Sequence, residues 1–333
     1  MPLLWLRADA SVREGLGHVM RSLALAETAV AAGWEVRFVV GGEDGLRLPQ
    51  RRGFSARTAT LDWADAVGVG DTVVFDGYHF GPADHRSVRD RACVAAVDDL
   101  GTGTFDVDVL LNPSVAQPEA VNYRVPAATR LLLGPRYALV RKEFREARDL
   151  QREDPTEGVL LVTLGGTDVA DIGEKVVDAL RDDESSPPIL LLVGPATKAP
   201  AERPGVEIVR DPPRPADVFG RAVAAISAAG STTWELLTMG VPSALIQVAE
   251  NQTPVLHAAT EAGAALPCGS AADLDALRQG LSGVLRLLMD PAERRRLSAA
   301  ALALVDGQGA QRMLAAIESA SQSGRARGGP RAD

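Results

Sequence analysis

The sequence predicts an α/β protein built as two doubly wound domains, each a parallel sheet flanked by helices. Three observations carry this. The 333 residues are too many for one ordinary core and suit two domains of roughly 150 residues each. Short, continuously apolar runs alternate with segments of helical periodicity, which is the rhythm of strand–helix–strand units. That rhythm breaks at a charged stretch close to residue 150 and then begins again. Domains are therefore expected over residues 1–150 and 156–320, facing a central cleft, with a disordered tail over 321–333.

The 46% apolar and 24% charged content is that of a globular protein. No apolar run is long enough to span a bilayer, and no basic region precedes an apolar N-terminal stretch, so the expectation is a cytoplasmic chain without a membrane partner. A net charge of −9 argues against a nucleic-acid partner. Cys93 and Cys268 match neither a disulfide framework nor a zinc pattern and read as plain buried thiols. The tail is rich in Gly, Ser and Arg and lacks apolar periodicity.

In chain order, Leu3 to Leu6 reads as a buried strand. It is followed by Gly15-Leu16-Gly17-His18 and a helix carrying Leu23, Leu25, Ala26, Ala29 and Val30. Val36 to Val40 is the next strand and, by the handedness of such units, parallel to the first. Thr72 to Phe75 ends in Asp76-Gly77-Tyr78-His79, Ala92 to Val97 ends in Asp98-Asp99, and Val109 to Leu111 ends in Asn112-Pro113. Carboxylates and amides thus gather where strands end, the edge at which open parallel sheets bind ligands. Leu131 to Leu133 is a last short strand. Tyr137 to Gln151, full of alternating charges, reads as an exposed connecting helix, closed by Pro155.

The second half contains strands at Val159 to Leu164, Ile189 to Val193, Val206 to Val209, Ala222 to Ile226 and Pro242 to Ile246. Helices are expected over Ile172 to Leu180, Asp273 to Met289 and Pro291 to Ala320. Gly165-Gly166-Thr167 and Gly230-Ser231-Thr232 each follow a buried strand and open a helix. There the backbone can approach a phosphate, and hydroxyls with helix N–H groups complete a cradle. Glycine turns are also ordinary connections, but two in one domain favour phosphate. Neither is a Walker loop, and the Gly-x-Gly-x-x-Gly dinucleotide spacing is absent. Glu235, one turn into its helix, can accept from ribose hydroxyls; otherwise it is a solvated charge beside a packed Trp234.

His18 is the catalytic candidate, because a neutral imidazole can take a proton from water. A lone histidine is often structural, yet here its neighbours are Gly17 and Arg21 rather than an apolar face. His79 and His85 are weaker candidates, and His257 reads as structural. Asp98-Asp99 lacks companions at metal-ligand spacing and reads as strand-end hydrogen bonding to loop amides, so no metal site is expected.

Taken together, several stretches resemble a known family. They are Arg7-x-Asp9, Gly15-x-Gly17-His18-x-x-Arg21, Asp76-Gly77-Tyr78, Val97-Asp98-Asp99, Gly134-x-x-Tyr137-Ala138-Leu139-x-Arg141-x-Glu143-Phe144, Gly165-Gly166-Thr167-Asp168, Ile226-Ser227-Ala228-x-Gly230-Ser231-Thr232-x-Trp234-Glu235 and Glu250-Asn251-Gln252. The chain is similar to the UDP-2,4-diacetamido-2,4,6-trideoxy-β-L-altropyranose hydrolases of pseudaminic acid biosynthesis and the related spore-coat polysaccharide proteins. These are kin of the GT-B glycosyltransferases. The resemblance implies a GT-B-like fold and a UDP-sugar substrate, cleaved at its anomeric C–O bond with inversion and without metal or other cofactor. It implies that His18 activates water, with Gly17 and Arg21 bordering the diphosphate and Asp9 and Tyr78 also at the substrate. Gly166 and Thr167 with Gly230, Ser231 and Thr232 would hold phosphates, Glu235 the ribose, and Glu250, Asn251 and Gln252 the sugar side. Asn112-Pro113-Ser114 departs from the Asn-Gln-Asn usual there, so the sugar can differ. A monomer is expected. A glycosyltransferase on the same scaffold is the alternative, with an acceptor hydroxyl replacing water.

Overall fold

The computed structural model describes residues 1–8, 16–115, 117–149, 158–166, 172–181, 183, 186–194, 197 and 200–327. The chain divides into two compact units, Met1–Arg141 with Gln308–Asp333, and Lys142–Gly307.

The first unit runs β1 (Leu3–Ala8), α1 (Gly17–Ala31), β2 (Glu35–Val40), α2 (Glu43–Arg51), β3 (Ser55–Thr58), β4 (Asp71–Asp76), α3 (Pro82–Arg89), β5 (Ala92–Val97), β6 (Thr102–Thr104), β7 (Val109–Asn112), β8 (Asn122–Arg124) and β9 (Arg130–Leu133). Its seven-stranded sheet has the order β3-β2-β1-β4-β5-β7-β9. All its pairings are parallel. The chain fills one side of β1 first and then jumps to β4 on the other, so the strand order reverses between β1 and β4. Leu6, Val74, Ala95 and Leu111 pack one face of the sheet against Val19, Leu23 and Ala26 of α1. Trp5, Phe75 and Val94 pack the other face around Val88 of α3. The predicted strands are mostly buried ones, with β9 the half-exposed exception. β3 is half exposed and β6 wholly exposed, so neither carries an apolar run.

The second unit runs α4 (Lys142–Asp149), β10 (Val159–Thr163), α5 (Ile172–Arg181), β11 (Ile189–Val193), β12 (Val206–Arg210), α6 (Pro215–Phe219), β13 (Ala222–Ala228), α7 (Ser231–Thr238), β14 (Ser243–Gln247), α8 (Thr253–Glu261), β15 (Leu266–Ser270), α9 (Leu274–Met289) and α10 (Pro291–Leu304). Its sheet order is β12-β11-β10-β13-β14-β15, again parallel and again reversing, here between β10 and β13. Pro267 and Gly269 hide β15 from a reading by apolar runs.

Four expectations change. The segment expected as one helix over Pro291 to Ala320 is two, because Val305 takes up extended backbone after α10. The second of them, α11 (Gly309–Arg327), belongs to the first unit, where Ala310, Met313, Leu314, Ala316 and Ile317 join the core around α1. It also continues through the start of the tail expected to be disordered, as far as Arg327. Finally, the connecting helix begins at Lys142, and it is not simply exposed. Phe144 is fully buried, with its ring 5.0 Å from that of Phe219, because apolar surface on a short helix must be covered.

Of the thiols, Cys268 is buried and Cys93 half-buried. Burial pushes their pKa values up to about 12 and about 11 respectively, so both stay protonated.

Candidate functional site

In open parallel sheets, ligands bind beyond the carboxyl ends of the strands where the order reverses. In the first unit that place is the end of β1 and β4. The register sets Ala8 opposite Asp76 and Asp76 opposite Val97, so Asp76, Asp98 and Asp99 emerge side by side at one sheet edge. The helix α1 begins over the same edge with an uncapped N-terminus and no acidic residue in its first turn. His18 and Arg21, one turn apart on α1, both face the carboxylates.

His18 Nδ1 lies 2.7 Å from Asp76 Oδ1. A carboxylate only accepts, so Nδ1 carries a proton, and the Arg21 guanidinium lies 3.1 Å from the same nitrogen. Nε2 has no hydrogen bond among the described residues. Arg21 donates from Nε to Asp76 Oδ2 at 2.7 Å and from its NH2 group to Asp76 Oδ1 at 2.5 Å. Its NH1 group donates to both oxygens of Asp99, at 2.7 and 2.8 Å. The Tyr78 hydroxyl donates to Asp99 Oδ2 at 3.3 Å, and its ring meets the His18 ring edge-on at 4.8 Å. All of these groups but Tyr78 are buried. Burial by itself would raise the Asp76 carboxyl pKa, but the Arg21 charge and then His18 hold it down at about 2. Burial likewise opposes the Arg21 charge, yet Asp76 and Asp99 raise its pKa well above the ordinary value.

A second polar group adjoins this one. Asp98 Oδ2 accepts from the Tyr123 hydroxyl at 2.6 Å, the Gly101 amide at 2.7 Å and Asn112 Nδ2 at 3.3 Å. Its pKa is raised, chiefly by burial, and burial and Asp98 together push that of Tyr123 up too. The loop-amide role expected for this acid pair thus holds for Asp98. Asp99 instead grips Arg21. Arg21 itself, which the resemblance puts beside a diphosphate, has its donors turned to two carboxylates.

In the second unit the reversal falls between the two glycine turns. β10 leads into Gly165-Gly166 and β13 into Gly230, with Thr163 opposite Ser227. Gly165 has φ +89°, a left-handed backbone that favours glycine. Gly194, at the end of β11, has its α-carbon so close to Gly166 that a Cβ there would stand 2.3 Å from the Gly166 carbonyl oxygen. Gly230 caps α7 in extended backbone, with no acidic residue in the first turn and, among the described residues, no side chain capping the leading N–H groups of Ser231 and Thr232. Glu235 is buried, which removes the solvated-charge alternative. Glu250, Asn251 and Gln252 form a tight turn after β14, beside β13. Gln252 accepts from the Val248 amide at 2.9 Å, and its Nε2 would lie 3.9 Å from a Cβ at Gly230.

Of the residues predicted from sequence, Gly17, His18, Arg21 and Tyr78 thus converge in the first unit. Gly166, Gly230, Ser231, Thr232, Glu235, Glu250, Asn251 and Gln252 gather along neighbouring strand ends in the second. Asp9 and Thr167 lie outside the described residues. Asp76 and Asp99 were missed as site residues, although acids closing two successive buried strands were the signal. His85 is structural: it is fully buried between Phe75 and Phe105, and its Nδ1 accepts from the Asp106 amide at 3.2 Å. His79 packs on Phe80, with ring centres 4.1 Å apart. His257 is exposed on α8. Among the described residues no group of three or more His, Cys, Asp or Glu side chains could hold a metal ion, and no helix is long and apolar enough to cross a membrane.

Two doubly wound parallel units with glycine turns at the strand-order reversal give this chain the GT-B fold of glycosyltransferases. Acinetobacter baumannii MurG superposes with a TM-score of 0.62 at 14% identity, over 95% of this chain and 99% of its own. A Phytolacca americana glycosyltransferase, UGT2, solved with UDP-2-fluoro-glucose and pterostilbene, superposes with a TM-score of 0.63 at 13% identity, over 97% of this chain and all of its own (100%). In sequence, the chain resembles the spore coat polysaccharide biosynthesis protein SpsG of Bacillus subtilis (strain 168), at 26% identity over 203 residues. That match spans 58% of this chain and 60% of the length of SpsG. No family model matches the chain.

Proposed function

We propose that this protein is a nucleotide-sugar hydrolase, releasing UDP from a UDP-linked acetamido- or diacetamido-deoxy sugar by attack of water at the anomeric carbon, with inversion. The observation that carries the reading is the His18–Asp76 pair. Asp76 fixes the imidazole so that Nε2 can accept a proton, and its charge stabilises the imidazolium that results. In the reaction, water's oxygen forms the new bond to the anomeric carbon while its proton passes to His18 Nε2. The bond from that carbon to the diphosphate oxygen breaks, and the electron pair leaves with UDP. His18 then returns the proton to solvent.

The second unit takes the leaving group in this reading. The open N–H groups at Ser231 and Thr232 favour the negative charge that grows on the diphosphate, so no strong general acid is needed. Gly166 and Thr167 add to the cradle. In this reading Glu235 accepts from ribose hydroxyls, and Glu250, Asn251 and Gln252 meet the sugar. On the first unit Asp9 and Tyr78 meet the substrate in this reading, Gly17 borders the diphosphate, and Arg21 organises the base.

Support also comes from the likeness to SpsG, a spore coat polysaccharide biosynthesis protein. The glycosyltransferase names of the structural neighbours favour one second reading, in which an acceptor hydroxyl takes the place of water. Incubation with a panel of UDP-sugars, with and without a chelator, tests both. The hydrolase reading expects free UDP and free sugar with no acceptor present and a loss of at least about 100-fold in His18→Ala. Full activity in that variant refutes the assignment. Turnover only on adding an acceptor establishes the transferase instead.

A further inference from the structure

We infer that Asp99 is a positioning residue for the proton chemistry at His18: by gripping one edge of the Arg21 guanidinium, it stops that cation from neutralising Asp76. The inference rests on the reading of His18 as the base. It starts from an imbalance in the buried network. One guanidinium lies between two carboxylates, donating from Nε and NH2 to Asp76 and from NH1 to both oxygens of Asp99. Formal charges of Arg21, Asp76 and Asp99 leave one net negative charge beside the His18 imidazole.

A buried charge without a partner is costly, so the sign of that remainder matters. When His18 takes a proton, the network passes from net negative to neutral. With Arg21 and Asp76 alone, the pair would already be neutral, and protonation would create an uncompensated positive charge. Asp99 therefore supplies the anion that the imidazolium needs, while Asp76 supplies the contact. Tyr78 ties the two together, since its hydroxyl donates to Asp99 and its ring stands against His18.

Among the described residues, the other charged and titratable groups nearby do not take over this task. On α1 the facing group is Arg21 itself, and on β4 it is Asp76. At the end of β5, Asp98 is turned to Tyr123, Gly101 and Asn112. At the end of β1, the Arg7 guanidinium lies over the Phe80 ring at 4.6 Å.

The test is an NMR titration of the whole chain, which has four histidines, with the His18 signal assigned by its loss in His18→Gln. In Asp99→Asn the His18 pKa is expected to fall by about one unit or more, as for loss of one close buried anion. Asp99→Glu, which restores the charge, is expected to recover most of the shift. A folded Asp99→Asn protein with an unchanged His18 pKa overturns the inference. Should that variant not fold, Arg21→Gln/Asp99→Asn removes a cation and an anion together and decides the matter. There the His18 pKa is expected within about half a unit of wild type, and a larger change in either direction overturns the inference, a rise meaning that only the Arg21 charge is felt at His18. For any sugar nucleotide that is turned over, the acid limb of kcat/KM moves with the titration. If none is turned over, the function fails while the titration still decides the role of Asp99.

Discussion

The replacement Asp76→Asn separates a catalytic pair from a merely structural ion cluster. An asparagine nearly preserves the shape, and its carbonyl oxygen can still accept from Arg21. Its amide, however, donates. Arg21 donates to both Asp76 oxygens, so either orientation of the amide meets an Arg21 donor; turned towards His18 across the 2.7 Å contact, it also requires Nδ1 to accept, which moves the imidazole proton to Nε2. That is the atom that must take the proton from water, so kcat/KM is expected to fall by about 10³ to 10⁴. The fold weakens as well. The Asp76 pKa is held down at about 2, against an ordinary 3.8, and this depression corresponds to stability on the order of 2–3 kcal/mol. The variant forfeits that amount in urea unfolding at pH 7. Affinity for UDP, by calorimetry, is expected to change less than about twofold, since the ligands of UDP are assigned to the second unit. The tautomer is read directly from the ¹⁵N shifts of His18. A variant with more than about a tenth of wild-type activity, or one in which Nδ1 still carries the proton, refutes the reasoning.

Acid stability gives a second test. Burial pushes His85 down to about 4 from an ordinary 6.5, so between those values the unfolded chain binds the proton and the fold does not. Its contribution is complete above pH 6.5 and is lost as pH falls towards 4, by up to about 3 kcal/mol. Urea melts at pH 7 and 4.5 should show that slope in wild type and a flatter one in His85→Gln. Gly194→Ala, whose Cβ would stand 2.3 Å from the Gly166 carbonyl oxygen, should displace the glycine turn, lowering stability by about 1–3 kcal/mol and UDP affinity at least about tenfold. Unchanged UDP binding would remove that turn from the phosphate site. Ending the chain after Arg327 should leave circular dichroism and melting unaltered. Ending it after Gln308 should unfold the first unit, because α11 supplies Met313, Leu314 and Ile317 to its core and each such side chain is worth about 2–5 kcal/mol.

Much of the fold is legible locally. A strand buried on both faces must be apolar without interruption, so runs such as Ala92 to Val97 and Ala222 to Ile226 announce their conformation in the residues themselves. The glycine turns were legible for the same reason, being short patterns tied to the strand before and the helix after. His18 and Arg21 could be paired because one helical turn separates them. Elements whose stability comes from elsewhere stayed hidden: β3 and β6 lack an apolar run, and α2 carries Pro49 within a polar stretch. Two features emerge only in the folded chain. The break after Leu304 sends α11 back to the first unit, since its apolar face is completed only by α1 and the sheet. And the acids that hold His18 and Arg21 lie far along the chain, Asp76 58 residues from His18 and Asp99 78 from Arg21. Nothing local ties those positions together. The parallel register of β1, β4 and β5 does, because it is set by burial of whole strands and fixes which strand ends become neighbours.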